Sequence, residues 1–199
     1  MVLFSAISGA EVVDLGQPAW RGQSGTTFQQ WDFLEPVTPE QPMDPDAGWV
    51  NPNGSAQLIY YPGSTTGWTQ DVDRHQGVLP LSGSIQIDIP NFPVQNPYKD
   101  IIVQLVWAPE TPRGNPFIDE ALTGEVATLV ETIQLDGPWQ YSKYAIHLEP
   151  NPDFEQVWIS GSIFVDSVIV DTICIPEPAT LALVGLGGLL IRKKRRRVA

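Results

Sequence analysis

The sequence predicts an all-β domain built as a two-sheet antiparallel β-sandwich, with a jelly-roll-like arrangement of strands. Nineteen prolines and seventeen glycines divide the 199-residue chain into short segments. Residues 11–172 sustain no helical period of apolar side chains. Short strands separated by turn residues are typical of β-sandwiches, and residues 11–175 are numerous enough to bury a core.

Seven segments carry strand signatures. Residues 84–89 alternate apolar and polar side chains, which places three isoleucines on one face of a strand. Residues 101–107 form a nearly continuous apolar run, as expected for a central strand. Further strands are expected at 56–61, 126–135, 139–148, 156–160 and 163–173.

The connections follow from turn and cap residues. Asp136-Gly137 predicts a hairpin turn, and Ser160-Gly161 separates the last two strands in the same way. One helical turn is expected over 116–122, with Asn115 as its N-cap and Gly124 at its end. Residues 35–53 hold five prolines and are interpreted as an irregular surface loop.

The charge is unevenly distributed along the chain. All 23 acidic residues precede residue 179, whereas six of the 11 Lys and Arg residues lie at 192–197, which leaves a formal charge of −18 on residues 1–178. A protein without a basic surface does not bind a phosphate backbone well, so nucleic acid is not an expected partner. The like charge keeps neighbouring copies of the protein apart in solution.

The sequence gives little support to a catalytic or metal-binding site. His75 and His147 are the only histidines, and no Cys/His spacing of a zinc site occurs. The acidic segments 71–75 and 44–46 offer carboxylates to calcium, but solvated loops are the favoured interpretation. We therefore predict no catalytic residue, no metal site and no cofactor. The many acidic residues leave a two-carboxylate glycosidase open as a weaker alternative.

The seven tryptophans divide into two groups. Those in predicted strands are expected in the core, whereas those in loop-rich segments are candidates for stacking on sugar rings. Filling of a thin sandwich core is the plainer alternative for the second group. The candidate glycan-stacking residues are Trp20, Trp31, Trp49 and Trp68.

The single cysteine and the N-terminus bear on export. Cys174 has no partner for an intramolecular disulfide, and a small buried residue is favoured over intermolecular pairing or lipid attachment. Residues 1–10 are apolar and end in Ser8-Gly9-Ala10, but the first cation is Arg21. We expect a partial signal peptide whose true start lies upstream.

The C-terminus combines three parts in a fixed order. A tripeptide comes first, an uncharged apolar run at 179–191 follows, and a basic cluster comes last. We expect this apolar run to form a short C-terminal hydrophobic helix, about 20 Å long, which is short for a bilayer core of roughly 30 Å. Cations hold their end of such a helix at the cytoplasmic face. The tripeptide is Pro176, Glu177 and Pro178, and the basic cluster is Arg192, Lys193, Lys194, Arg195, Arg196 and Arg197.

This order resembles the PEP-CTERM sorting signal of bacterial envelope proteins, whose tripeptide maps onto Pro176 to Pro178 and whose basic cluster maps onto Arg192 to Arg197. The resemblance implies cleavage at or near the tripeptide by an exosortase-type processing enzyme. It also implies transient anchorage in the inner membrane and a final place at the cell surface or in the extracellular matrix. An ordinary tail anchor is the alternative.

The predicted organisation is a partial signal peptide at 1–10, an ectodomain at 11–175 and the sorting signal at 176–199. We expect an exported protein whose ectodomain is structural or adhesive. A carbohydrate-binding module that acts on exopolysaccharide is the first alternative. A polysaccharide-active enzyme is the weaker one.

Overall fold

The computed structural model describes residues 16–48, 51, 53–64, 67–91 and 96–175, and these residues form strands without a helix. The prediction of an all-β domain is confirmed for them. The strands are β1 (Thr26–Trp31), β2 (Pro42–Met43), β3 (Ala47–Gly48), β4 (Gln57–Tyr61), β5 (Thr69–Val72), β6 (His75–Leu81), β7 (Ser84–Pro90), β8 (Tyr98–Pro109), β9 (Phe117–Glu120), β10 (Glu125–Val126), β11 (Thr128–Gln134), β12 (Gln140–Leu148), β13 (Phe154–Ser160) and β14 (Ile163–Ile175).

Two antiparallel sheets form, as the sequence predicts. The first sheet has the order β11-β12-β8-β14-β1-β3, and β6 also pairs with β14 and with β5. The second sheet has the order β10-β9-β13-β7-β4-β2. The jelly-roll arrangement stays a prediction.

The core lies between the sheets and follows the alternation of each strand. On β7, Ile85, Ile87 and Ile89 are fully buried, and the residues between them are partly exposed. On β8, the same side of the strand buries Ile101 and Val103. Because successive side chains of a strand point to opposite faces, the intervening residues of each sheet face outward.

A second, smaller apolar cluster lies on the outward face of the first sheet. It joins Val78 of β6 and Val106 of β8 to Tyr141 of β12 and to Trp139, the residue that precedes β12. Residues 71–75, predicted as a solvated loop, instead comprise the end of β5, a two-residue turn and the first residue of β6. Both turn residues, Asp73 and Arg74, have positive φ angles (50° and 74°), as a two-residue type I′ hairpin turn requires.

The predicted helical turn over 116–122 is wrong. Phe117–Glu120 is a strand, and Ile118 pairs with Ile159 of β13 and is buried. Pairing with a neighbouring strand overrides the local helix-cap signal. Asn115 does not cap a helix, and its Nδ2 donates to the Arg113 carbonyl at 3.3 Å. Gly124 follows in a turn, where its N–H bonds the Glu120 carbonyl at 2.8 Å and its φ is 78°.

Two connections differ from their predicted form because the chain changes sheets. The single strand expected over 126–135 is two strands, with β10 in the second sheet and β11 in the first. Ser160-Gly161 is likewise not a hairpin turn, because β13 and β14 belong to different sheets. Asp136-Gly137 does make the predicted hairpin, in which the Leu135 N–H bonds the Trp139 carbonyl at 2.9 Å.

The predicted strands include none at the positions of β1, β5 and β6. The sequence also predicts residues 35–53 as irregular, and their described part contains the two-residue strands β2 and β3.

Candidate functional site

The last strand carries the chain to the start of the predicted sorting signal. β14 lies between β8 and β1 and ends at Ile175. Cys174 is paired in register with Lys99 of β8, and its N–H bonds the Gly25 carbonyl at 2.9 Å. The fold therefore holds the backbone up to the residue that precedes Pro176.

Buried polar side chains surround Cys174, and we call them the exit cluster: Asn91, Lys99, Asn151, Cys174 and Glu155. The Cys174 thiol donates to Asn91 Oδ1 at 3.3 Å, and Asn151 Nδ2 lies 3.7 Å from the sulfur. Asn91 Nδ2 donates at 2.6 Å both to Asn151 Oδ1 and to Glu155 Oε1. These contacts tie the end of β14 to the segments that flank β7 and β13.

Burial controls the ionisation of this cluster. Desolvation raises the pKa of the Cys174 thiol above its usual value, so the sulfur stays protonated and unreactive at neutral pH. Desolvation likewise raises the pKa of Glu155 to about 7, although Lys99 acts in the opposite direction. Cys174 is free and only 5 % exposed, as expected for a small buried residue.

Several predicted residues lie outside the described part of the chain. They are Pro176, Glu177 and Pro178, the basic cluster from Arg192 to Arg197, the apolar run 179–191, residues 1–10, and Trp49. Within the ranges that are described, no helix has the length and apolar character needed to span a membrane.

The three described loop tryptophans differ in their surroundings. Trp31 is the last residue of β1 and is fully buried, so its ring has no face free for a sugar, and its predicted loop position is wrong. Trp68 is partly buried against the core and donates from Nε1 to the Phe33 carbonyl at 2.7 Å. Trp20 is partly exposed, in a turn that precedes β1.

Sequence reasoning missed an aromatic pair on the outward face of the second sheet. Trp158 was expected in the core, but it alternates with the buried Val157 and Ile159 and is therefore partly exposed. Its ring lies 6.3 Å from the Tyr61 ring, centroid to centroid, with 14° between the planes. The apolar-polar alternation within 156–160 was the available signal, because it assigns Trp158 to the same side as Gln156.

Polar side chains around this pair are joined by hydrogen bonds. Trp158 Nε1 donates to Gln156 Oε1 at 2.9 Å. Gln156 Nε2 and Gln86 Nε2 both donate to Asp88 Oδ1, at 3.0 Å and 2.9 Å. We call this surface the outer platform: Tyr61, Gln86, Asp88, Asp119, Gln156 and Trp158.

A histidine lies between two carboxylates at the opposite side of the sandwich. His75 Nδ1 is 3.0 Å from Asp166 Oδ2, and Nε2 is 3.5 Å from Asp136 Oδ1. Its ring stacks on Trp139 with centroids 3.9 Å apart. Burial lowers the pKa of His75, but Asp166 and Asp136 together outweigh burial and raise it.

The acidic segments predicted as possible calcium ligands make other contacts in the described part of the chain. Among the residues that the structure describes, no three His, Cys, Asp or Glu side chains are placed to hold one ion. Asp44 instead accepts from Gln57 Nε2 at 2.6 Å, and Asp46 accepts from the Asp32 N–H at 2.8 Å.

Most Lys and Arg side chains of the ectodomain form hydrogen bonds or ion pairs within the domain. Arg21 pairs with the buried Asp171, with Nη2 2.6 Å from Oδ2. Lys99 pairs with Glu155, and Lys143 Nζ donates to the Gly16 carbonyl at 2.9 Å. The exposed surface is therefore left with a strong excess of negative charge.

Comparison with known families bears on the C-terminus alone. The family model described as the PEP-CTERM protein-sorting motif matches residues 175–197, which confirms the resemblance and its position. Such a motif implies an exported protein that is targeted to an exosortase. No curated protein and no solved structure matches the chain.

Proposed function

We propose that this chain is an envelope or extracellular-matrix protein with a structural or adhesive ectodomain, processed through its C-terminal sorting signal. One observation carries the proposal. The motif at 175–197 starts where β14 ends, so the ectodomain and the sorting signal adjoin without a linker.

This junction constrains how processing takes place. An extended chain covers at most ~3.6 Å per residue, so Pro176 to Pro178 reach only about 10 Å beyond the folded edge. The ectodomain then lies close to the membrane until the tripeptide is cut. Anchorage before cleavage is transient, and the released protein enters the cell surface or the extracellular matrix.

The surface charge supports a passive role in that layer. The formal charge of −18 on residues 1–178 keeps copies of the protein apart and disfavours nucleic acid and other polyanions as partners. The ectodomain is proposed to be non-catalytic. Adhesion then depends on non-covalent contacts made by the outer surfaces of the domain.

Carbohydrate binding is the second candidate, and the outer platform favours it. An aromatic pair on an open sheet face, surrounded by amides and carboxylates, offers both stacking surface and hydrogen-bonding groups to exopolysaccharide. Enzymatic action on polysaccharide has no comparable observation in its favour.

Cell fractionation tests the sorting proposal. The full chain is expressed behind an intact signal peptide in a host that encodes an exosortase, and in the same host without that gene. We expect shortened protein outside the inner membrane in the first strain and full-length protein in the membrane in the second. Glu177→Gln is expected to impair processing, whereas Glu149→Gln, on an exposed residue of the ectodomain, serves as the matched control. Equal distribution in the two strains contradicts the proposal.

A further inference from the structure

The outer platform is formed by neighbouring strands of the second sheet. Tyr61 lies on β4 and Trp158 on β13, and β7 runs between these two strands. Strands two places apart in a sheet are separated by roughly 10 Å. Since the ring centroids are only 6.3 Å apart, the two rings lean toward each other across β7. With 14° between their planes, the two rings form one stacked aromatic pair on the outward face of the sheet.

The polar groups beside this surface are already ordered. Asp88 Oδ1 accepts from two glutamine side chains, and one of them, Gln156, also accepts from the Trp158 indole. A ligand that meets side chains already held in place loses less binding free energy to their ordering. Amide and carboxylate groups at a fixed distance from aromatic rings are suited to a molecule with hydroxyl groups around apolar C–H faces.

Charge narrows the class of ligand. The strands β4, β7, β9 and β13 contain no Lys or Arg. The charged members of the outer platform are Asp88 and Asp119, which repel a polymer of uronic acids. An uncharged polysaccharide meets no such barrier.

We propose that the outer platform binds an uncharged glycan chain, with Tyr61 and Trp158 stacking on sugar rings and Gln86, Asp88 and Gln156 bonding to hydroxyl groups. This inference rests on the carbohydrate-binding candidate above and gives it a site. Of the predicted stacking residues in loop-rich segments, Trp31 is fully buried and offers no ring face to a sugar.

Calorimetry on the full chain tests the proposal. The protein is held in a zwitterionic detergent, because the sugar headgroup of an alkyl glycoside competes for the site. The probes are cellohexaose, xylohexaose, mannohexaose and N-acetylchitohexaose, with hexagalacturonate as the acidic probe. We expect saturable binding of at least one neutral probe and weaker or no binding of hexagalacturonate.

Variants then locate the site. Trp158→Ala and Tyr61→Ala are each expected to weaken binding about 10- to 30-fold, as for central aromatic contacts. Trp158→Phe keeps a ring and is expected to retain most of the affinity. Trp20→Ala removes a partly exposed tryptophan outside the outer platform and is the matched control. Near-ultraviolet circular dichroism confirms that each variant is folded.

The outcomes separate the site from the function. Binding by the wild type that Trp158→Ala and Tyr61→Ala leave unchanged overturns the assignment to the outer platform, while carbohydrate binding stands. Tightest binding of hexagalacturonate overturns the charge argument and the proposal with it. No binding of any neutral probe overturns both the site and the carbohydrate-binding candidate. The sorting proposal does not depend on any of these three outcomes, because the fractionation experiment tests C-terminal processing and not glycan binding.

Discussion

Lys99 Nζ lies 2.6 Å from Glu155 Oε2, and the side chains are 1 % and 0 % exposed. Lys99 belongs to β8 of the first sheet and Glu155 to β13 of the second, so this ion pair joins the two layers through the interior. It lies beside Cys174, the penultimate residue of the last strand. A charge at this depth is tolerated only because its partner is present.

Removal of one partner is predicted to be costly. Above the Glu155 pKa of about 7, Lys99→Met leaves a buried carboxylate without its cation, and we expect the free energy of unfolding to fall there by about 3–5 kcal/mol. The double variant Lys99→Met/Glu155→Leu removes both charges and is expected to recover most of that loss. Urea denaturation followed by circular dichroism measures both. A loss below ~1 kcal/mol in the single variant contradicts this account of the pair.

The pH dependence of stability follows from Glu155. Its pKa is raised from 4.5 to about 7 by folding, so the folded state holds the proton more tightly than the unfolded state. The resulting stabilisation is complete below pH 4.5 and is lost as the pH rises through 7. Across this range the free energy of unfolding is expected to fall by on the order of 3 kcal/mol. Denaturation between pH 4.5 and 8 measures it.

Glu155→Gln is predicted to flatten that profile, because the amide does not titrate. Glu125→Gln, on the exposed strand β10, is the control and should follow the wild-type curve. A wild-type profile that rises from pH 5 to 8 is the opposite of the expected result.

His75 is predicted to add a smaller change of the same sign. Its pKa is raised above 6.5 in the folded state, so its contribution is present below that pH and disappears as the pH rises through the raised value. We expect His75→Gln to reduce the difference in unfolding free energy between pH 5.5 and 8.5 by less than ~1 kcal/mol, since burial of His75 opposes the effect of Asp166 and Asp136 and the side chain keeps partial contact with water. Nuclear magnetic resonance titration of the imidazole gives the pKa directly, and a value below 6.5 contradicts the prediction.

Arg21 is predicted to anchor the segment that precedes β1. Arg21→Ala removes the guanidinium from the fully buried Asp171, which keeps a hydrogen bond from the Gln104 amide, 3.1 Å away. We expect a loss of about 2–4 kcal/mol in unfolding free energy and faster hydrogen exchange at 16–25. Arg113→Ala changes an exposed residue and should stay within ~0.5 kcal/mol of the wild type. Unchanged exchange at 16–25 in Arg21→Ala refutes the anchoring role.

The sequence predicts those elements whose signal is local. The alternation at 84–89 and the apolar run at 101–107 mark β7 and β8, because burial on one face or both determines those residues directly. Asp136-Gly137 marks its hairpin for a similar reason, since Gly137 adopts a φ of 56°. The sorting motif is also local, as its three parts follow one another in the chain.

What the sequence does not predict depends on contacts between distant residues. The segment around Phe117 has helix-cap residues nearby, but pairing with β13 makes it a strand. Whether β11 and β14 join the sheet of the preceding strand is decided by the packing of the whole sandwich. The exit cluster and the outer platform also depend on distant residues. Lys99 meets Glu155 only when the two sheets pack together, and Tyr61 meets Trp158 only when β4 and β13 have both joined β7 in the second sheet.

The mass of the mature C-terminal peptide tests the central claim most directly. Exported protein is isolated from a host with an active exosortase, digested, and analysed by mass spectrometry. We predict that the last peptide ends at or near Pro176 to Pro178, with Cys174 retained and the sequence beyond the tripeptide missing. Exported molecules that end at Ala199 contradict processing through the sorting motif.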